Sequence, residues 1–370
     1  NIGAGRPGIA YQARQLGLVF NAALGVIMSL FLSLGAGTIL SGVGVADALM
    51  QPAKTYLQIV GGFCILNALI PICSSYLRAF GFSKEPLYAS IIGNVINFCL
   101  NAFFLFVLHK GVAGVATATV ISRIINLVIV VLLGAVLVKA KQHPERESNR
   151  AVMGQIIRIG LPSACETAIY NVSMTLVIRF LNQMDAQGLN VTARSYTMQI
   201  TNFSYCVGAA LAQANAIMTG WHIGAKEYDA CDRGTKKAAV IGVIVAVILE
   251  TVFTLCSGWI MQLFSKDPQM VSLVGKLLAI DIVLEIGRVT NLVYGQALKT
   301  SGDAVFPVVM GACFMILCSV GGTYLFGIRL GLLAVGAYIG MTGDECVRAV
   351  GMYLRWKSGK WKEKGLVKSR

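Results

Sequence analysis

Charge is scarce in this chain. Only 13% of its 370 residues are Asp, Glu, Lys or Arg, and just 17 are acidic. Soluble domains usually carry about 25% charged residues, so this scarcity, with 56% hydrophobic residues and a mean hydropathy of +0.71, excludes an ordinary soluble globule. Histidine is rarer still, at three residues, and there is no CxxC pair, HExxH, DDxxD or GxSxG. Those absences leave no zinc signature and no nucleophile or paired-acid motif for a membrane enzyme. The ten cysteines lie mostly singly within apolar stretches and read as small buried hydrophobes, not as metal ligands or disulfides. Short segments of alternating polarity are also missing, which excludes a β-barrel.

What remains is a set of long apolar runs. Uncharged stretches cover 15–46, 55–77, 86–108, 195–221 and 304–328, and stretches with one or a few charges cover 112–138, 154–181, 236–264, 269–298 and 331–354. About 20 residues span a bilayer as a helix, so the expected fold is all-α and polytopic, with ten transmembrane helices in this chain. The formal net charge of +14 raises the question of a nucleic-acid partner, which the distribution of the charges answers. Of the 31 Lys and Arg, 21 fall on the side that holds Arg6, Arg78, the 139–150 linker, Lys226, Lys299 and the C-terminal tail. Five, Lys54, Lys110, Arg194, Lys266 and Arg329, fall on the other side, and five lie inside spans. That is the positive-inside bias; it puts both ends of the chain in the cytoplasm, with membrane lipids and not nucleic acid as the partner of the basic residues.

The chain also repeats itself. Ile2-Gly3-Ala4 returns as Ile223-Gly224-Ala225, Tyr76, Ala79, Ser83, Glu85 and Gly93 return as Tyr294, Ala297, Ser301, Asp303 and Gly311, and Gly111 to Val115 returns as Gly331 to Val335. Three matches in one order, at nearly one offset, describe two similar halves. The spans 154–181 and 195–221 have no partner in the first half, so the repeat leads us to expect two further helices before residue 1 and twelve in an intact protein. The corresponding division is 1–140 as an N-terminal lobe lacking two helices, 141–153 as a cytoplasmic linker, 154–354 as a six-helix lobe and 355–370 as a basic cytoplasmic tail. The two lobes are then pseudo-symmetric six-helix units.

The IGA loop, Tyr76-Leu77-Arg78-Ala79-Phe80-Gly81, Gly111-Val112-Ala113-Gly114-Val115-Ala116 and Gly160-Leu161-Pro162-Ser163, taken in order and spacing, resemble the multidrug and toxic compound extrusion (MATE) family. The resemblance implies a secondary antiporter of the cell membrane. It would be driven by Na+ or H+, have no other cofactor, and expel small organic drugs or metabolites, often cationic, through a cavity between two lobes. It also implies a monomer. A lipid-linked oligosaccharide or polysaccharide flippase of the same superfamily is the alternative. That activity calls for several cavity Arg or Lys, and Arg288 is the one good candidate in the sequence.

Ionisable groups deep in a bilayer are costly and mark functional candidates. Asp281, Glu285 and Arg288 stand at i, i+4 and i+7 on one helix face. Glu166 lies about twelve residues, or ~18 Å, into its span, and Glu285 about thirteen, or ~20 Å, from the cytoplasmic end of its own. Matching depth leads us to expect Glu166 to meet the Glu285/Arg288 pair, with Tyr170, Asn171, Asn291 and Tyr294 as polar company. Two uses are open: a permanent ion pair that fixes packing, or carboxylates that share one arginine and exchange a coupling cation. The resemblance supports the region, since it implies a cation site formed by an acidic residue on the first helix of the second half and polar or acidic ones on its fourth. Glu250 and the Asp344/Glu345/Arg348 group read as structural, Glu250 as a packing partner of Arg179. Phe63, Asn67 and Ile70 stand at the repeat positions of Asp281, Glu285 and Arg288, so the halves differ chemically.

Overall fold

A computed structural model of the chain describes residues 1–43, 47–139, 145–185 and 188–364. Its regular structure is helical throughout, as it must be where a bilayer offers the backbone no hydrogen-bond partners. The chain divides into two compact units, Asn1–Ile156 and Ile157–Arg370. In the first unit, α1 (Pro7–Leu34) leads through Gly35 into the short α2 (Ala36–Val43). Then come α3 (Asp47–Gly62), α4 (Ile65–Ala79), α5 (Lys84–Ala102) with a π-helical extension over Phe103–Val107, and α6 (Gly111–Leu137). Helix α7 (Asn149–Met184) runs across the boundary. The second unit continues with α8 (Leu189–Gly224), α9 (Tyr228–Leu255), the short α10 (Ser257–Met261) and α11 (Pro268–Thr300). It closes with α12 (Val305–Phe314), prolonged by π-helical segments Met315–Val320 and Thr323–Arg329, and α13 (Leu333–Lys357).

Counting the bent α3–α4 pair as one, these make ten long rods among the described residues, in the order the apolar runs predict. Five of them, α1, α5, α6, α9 and α12 with their extensions, are apolar enough to cross a bilayer on composition alone, and α3–α4 makes a sixth. The other four, α7, α8, α11 and α13, carry more polar residues, and these four build most of the cavity described below. Exposure is inverted relative to a soluble protein: Leu34 and Phe106 are 83% and 76% exposed, whereas Glu250 and Glu285 are fully buried. Apolar side chains on the outside match hydrocarbon, and the charged ones withdraw into the unit.

The backbone carries the repeat as clearly as the sequence does. Left-handed residues recur in pairs: Gly5 (φ 70°) with Lys226 (φ 63°), Gly81 (91°) with Gly302 (94°), His109 (50°) with Gly331 (68°), and Gly111 (53°) with Leu333 (53°). The π-helical segment Phe103–Val107 has its counterpart in Thr323–Arg329. Each unit has its own core. Cys73, Tyr76, Leu77, Ala89 and Val130 form one in the first unit. In the second, Val177, Leu181, Leu277, Leu284 and Ala337 form one cluster and Val293, Tyr294, Trp356 and Trp361 another.

The linker and tail are tied down where they are described. Gln12 donates to Glu147 O (2.7 Å) and to Asn149 Oδ1 (2.6 Å). The linker's Lys141, Gln142, His143 and Pro144 lie outside the described residues, as do tail residues 365–370. The rest of the tail folds back. Trp361 is buried and stacks on Trp356 at 4.2 Å, and Arg355 and Lys364 both donate to Asp303 in the α11–α12 turn, at 2.7 and 2.8 Å.

Candidate functional site

Helix α11 starts at an Asp267 cap, whose side chain accepts from Gln269 N at 3.0 Å, with Pro268 in the first turn. Thirty-three residues follow without a break. Along one face lie Asp281, Arg288, Leu292, Gly295, Gln296 and Lys299, at helical spacing, and they line a cavity of about 670 Å3 within the second unit. Similar stripes complete it: Ser163, Glu166, Tyr170, Asn171 and Met174 on α7, Arg194, Met198, Asn202 and Tyr205 on α8, and Tyr338, Met341, Glu345, Arg348 and Met352 on α13.

Close backbone packing sets the register between α11 and α13. A Cβ on Gly287 would lie 2.9 Å from the amide N of Cys346, so only glycine lets the helices meet there. That approach puts Arg288 beside Glu345 as well as its own-helix partner Glu285. Arg288 Nη1 donates to Glu285, and its Nε stands 3.7 Å from Glu345 Oε1. Glu345 also takes Arg348 Nη2 at 3.0 Å and Asn291 Nδ2 at 3.0 Å. Arg348 in turn clasps Asp344 with two bonds, 2.8 and 3.0 Å, and Asp344 accepts from Ser319 Oγ at 2.9 Å. Ser319 lies in the π-helical segment Met315–Val320, an irregularity often found at functional sites. The result is a chain of alternating charge: Asp344, Arg348, Glu345, Arg288, Glu285.

Behind the wall, the chain ends in surplus acid. Glu250 of α9, Asp281 and Glu285 are all buried and each offers a carboxylate oxygen within 4.8 Å of the other two. Both oxygens of Glu250, Oδ2 of Asp281 and Oε2 of Glu285 have no hydrogen-bond partner among the described residues. Asp281 lines the cavity, while Glu250 and Glu285 lie beyond its lining. Oxygen ligands of this kind suit a hard cation, and carboxylates this close share protons when no metal is bound.

The sequence expectations divide. Asp281, Glu285, Arg288, Tyr170, Asn171 and Asn291 are all in or against the site. Glu166 does not meet Arg288: it lines the same cavity, but its partner is Lys299 at 2.6 Å, which the charge distribution assigns to the cytoplasmic surface. Equal depth fixes height in the bilayer but not rotation, and α7 turns Glu166 toward the last turn of α11. Tyr294 is buried away from the cavity, edge-on to Tyr353 at 5.6 Å and tilted on Trp356 at 6.2 Å. Glu250, expected as a packing acid for Arg179, belongs to the carboxylate cluster instead. Asp344, Glu345 and Arg348, expected as a structural group, reach the cavity. Arg194, expected as an outer-side charge, is buried in it. Four basic groups line the cavity, Arg194, Arg288, Lys299 and Arg348, where the sequence suggests one. Extending the α11 stripe by about three turns, from Arg288 through Leu292 and Gly295, reaches Lys299, so the signal for that residue is present in the spacing.

A bundle of bilayer-length helices whose charges turn inward onto a polar cavity has the construction of a membrane transporter. The MatE family model matches residues 1–103 and 162–325. The uncharacterized transporter YisQ of Bacillus subtilis (strain 168) is 32% identical over 364 residues, covering 97% of this chain and 80% of that protein. A probable multidrug resistance protein NorM of Thermotoga maritima is 22% identical over 362 residues, covering 92% of this chain and 76% of that protein. Among solved structures, a crystal structure of MATE in the bent conformation superposes with a TM-score of 0.84 at 18% identity, covering 98% of this chain and 84% of that one. This chain belongs to the MATE family of multi-pass multidrug efflux transporters.

Proposed function

We propose that the protein is a secondary antiporter that exports small organic compounds across the cell membrane in exchange for an inward-moving Na+ or H+. It would act as a monomer, with both ends of this chain cytoplasmic. The observation that carries this reading is the buried acid surplus. Five carboxylates, Glu250, Asp281, Glu285, Glu345 and Asp344, are served by two guanidinium groups, Arg288 and Arg348. Unbalanced negative charge in a low-dielectric interior is costly, and a bound cation relieves it. Asp281 joins this cluster to the cavity, so a substrate group that engages Asp281 or Arg288 competes with the cation for the same carboxylates. Competition for shared groups is what antiport requires. The flippase alternative gains from the four cavity bases, but three of them are already neutralised by acids.

The test is efflux from vesicles under an imposed sodium or pH gradient. Wild type should export against one of the two gradients, and Glu285→Gln should reduce that export to background. Glu166→Gln should impair it as well, by freeing Lys299 to repel cations. Unchanged gradient-driven export in both variants would overturn the reading.

A further inference from the structure

The carboxylate cluster has a side that the cavity does not touch. Glu250 and Glu285 lie beyond the cavity lining, and so do Ser204 of α8 and Thr254 of α9. Glu250 and Ser204 are fully buried and stand beside each other. Both Glu250 oxygens, Ser204 Oγ and Thr254 Oγ1 are buried without a hydrogen bond of ordinary geometry among the described residues. Buried polar atoms left in this way ordinarily serve a water or an ion. Their placement along α9 gives the route a direction. Thr254 lies one turn beyond Glu250 on the same helix face, and Ser257 follows just past the helix end, its Oγ 3.4 Å from where a Cβ on Gly275 of α11 would stand. Helix α9 ends at Leu255, five residues or ~8 Å beyond Glu250, and runs toward the side to which the charge distribution assigns Lys266, the outer one. Asp281 lies thirteen residues, or ~20 Å, from the outer end of its own helix at Pro268. Glu250 is therefore the cluster member nearest an outer helix end. That end is a helix C-terminus, whose partial negative charge favours a cation, and the C-terminal ends of interrupted helices recur at the ion sites of transporters.

We infer that the coupling cation reaches the cluster from the outer side along α9, passing Ser257 and Thr254 to Glu250, while the organic substrate enters by the cavity that Asp281 lines. The inference rests on the proposed reading of the cluster as the coupling site. Ion and substrate then approach the same acids from different sides. A cation can arrive while an organic molecule still occupies the cavity, and it loosens that molecule through the shared carboxylates, not by competing for its path. Thr254 is a positioning residue on this route: its hydroxyl offers the cation an oxygen between the end of α9 and Glu250, at a depth where a lone ion is otherwise poorly solvated.

The test is export of a fluorescent aromatic cation from right-side-out vesicles, titrated with external Na+ or external pH, whichever gradient drives wild type, alongside equilibrium binding of the same compound in lipid nanodiscs. Thr254→Val keeps the shape of the side chain and removes the hydroxyl. It should raise the external ion concentration needed for half-maximal export by about tenfold, with substrate affinity within about twofold of wild type. Thr254→Ser should keep the wild-type ion dependence. An unchanged ion dependence in Thr254→Val, or a loss of substrate affinity as large as the loss of ion affinity, would overturn the inference. Equal behaviour of Thr254→Ser and Thr254→Val would overturn it too, by reducing the position to packing. Failure of the coupling reading looks different: neither gradient drives export in wild type.

Discussion

Helix α11 and the bent pair α3–α4 hold the same place in the two repeats, yet α11 runs unbroken from Pro268 to Thr300 while its counterpart breaks near Phe63 and bends by 41°. The helix ends align Ala79 with Thr300 and Gly81 with Gly302, a register shifted by three residues from the sequence match, so Val60, Cys64 and Asn67 stand opposite Asp281, Glu285 and Arg288, and the break falls where the second unit sets Glu285. The contrast has a physical reason. Asp281, Glu285 and Arg288 act together only if one straight helix holds them on one face, in register with Glu345 of α13. The first unit has the uncharged Val60, Cys64 and Asn67 at these positions and can tolerate a bend. The same holds one helix later. Both units have a π-helical stretch at the end of the rod, Phe103–Val107 and Thr323–Arg329, but only the second adds Met315–Val320, which offers Ser319 to Asp344. Turns and helix ends are shared; the charges and the irregularity that serves them are not.

The largest effect on that contrast should come from giving α11 the side chain of its counterpart. Leu66 stands where α11 has Gly287, and Gly287→Leu would drive a side chain into the backbone of α13 at Cys346. We expect a loss of about 3 kcal/mol or more, read as thermal unfolding in detergent, together with loss of transport as Glu345 leaves Arg288. A melting temperature indistinguishable from wild type would show that the close approach does not set the register.

A smaller effect is expected at the α11–α12 turn. Burial pushes the Asp303 carboxyl up, but hydrogen bonds from Arg355 and Lys364 outweigh it and hold the group below its ordinary value of 3.8. A depressed folded-state value means the clamp contributes above about pH 4 and is lost as pH falls through the lowered value. Asp303→Asn should cost about 2 kcal/mol at neutral pH and release Trp361, seen as a shift in tryptophan fluorescence. Phe82 stands at the structural position of Asp303, and the nearby acid of the first unit, Glu85, lies in the first turn of α5; Glu85→Gln should cost less than Asp303→Asn, and equal losses would break the comparison. The smallest effect concerns a single dihedral. Lys226 occupies a left-handed conformation that its partner Gly5 adopts without strain, so Lys226→Gly should stabilise the protein by about 1 kcal/mol, again by thermal unfolding.

Much of the architecture is legible in the amino-acid sequence. The ten rods follow from apolar run lengths, because a bilayer enforces helix and a minimum length. The repeat follows from turn residues, and the paired left-handed positions show why: a helix end keeps its backbone conformation when the apolar faces diverge, even where one copy lacks glycine, as at His109, Lys226 and Leu333. The face of α11 is legible from i, i+4, i+7 spacing alone. What escapes is pairing between helices. Whether Glu166 meets Arg288 or Lys299 depends on helix rotation, which hydropathy does not encode. Glu250 is isolated in its own span, and an isolated acid reveals no partners on another helix. Lys299 and Arg194 sit near span ends, where the positive-inside count treats every base as topology.

If the carboxylates of the second unit, and not the groups at matching positions of the first, hold the coupling cation, two substitutions at one repeat position must behave differently. The most direct measurement compares gradient-driven export for Glu285→Gln with that for Cys64→Ala, each in reconstituted vesicles at equal protein content. Export should fall to background for Glu285→Gln and stay within about twofold of wild type for Cys64→Ala, since uncoupling removes transport whereas a substitution outside any network scarcely alters it. Robust export by Glu285→Gln, or equal losses in both, is incompatible with a coupling site confined to the second unit.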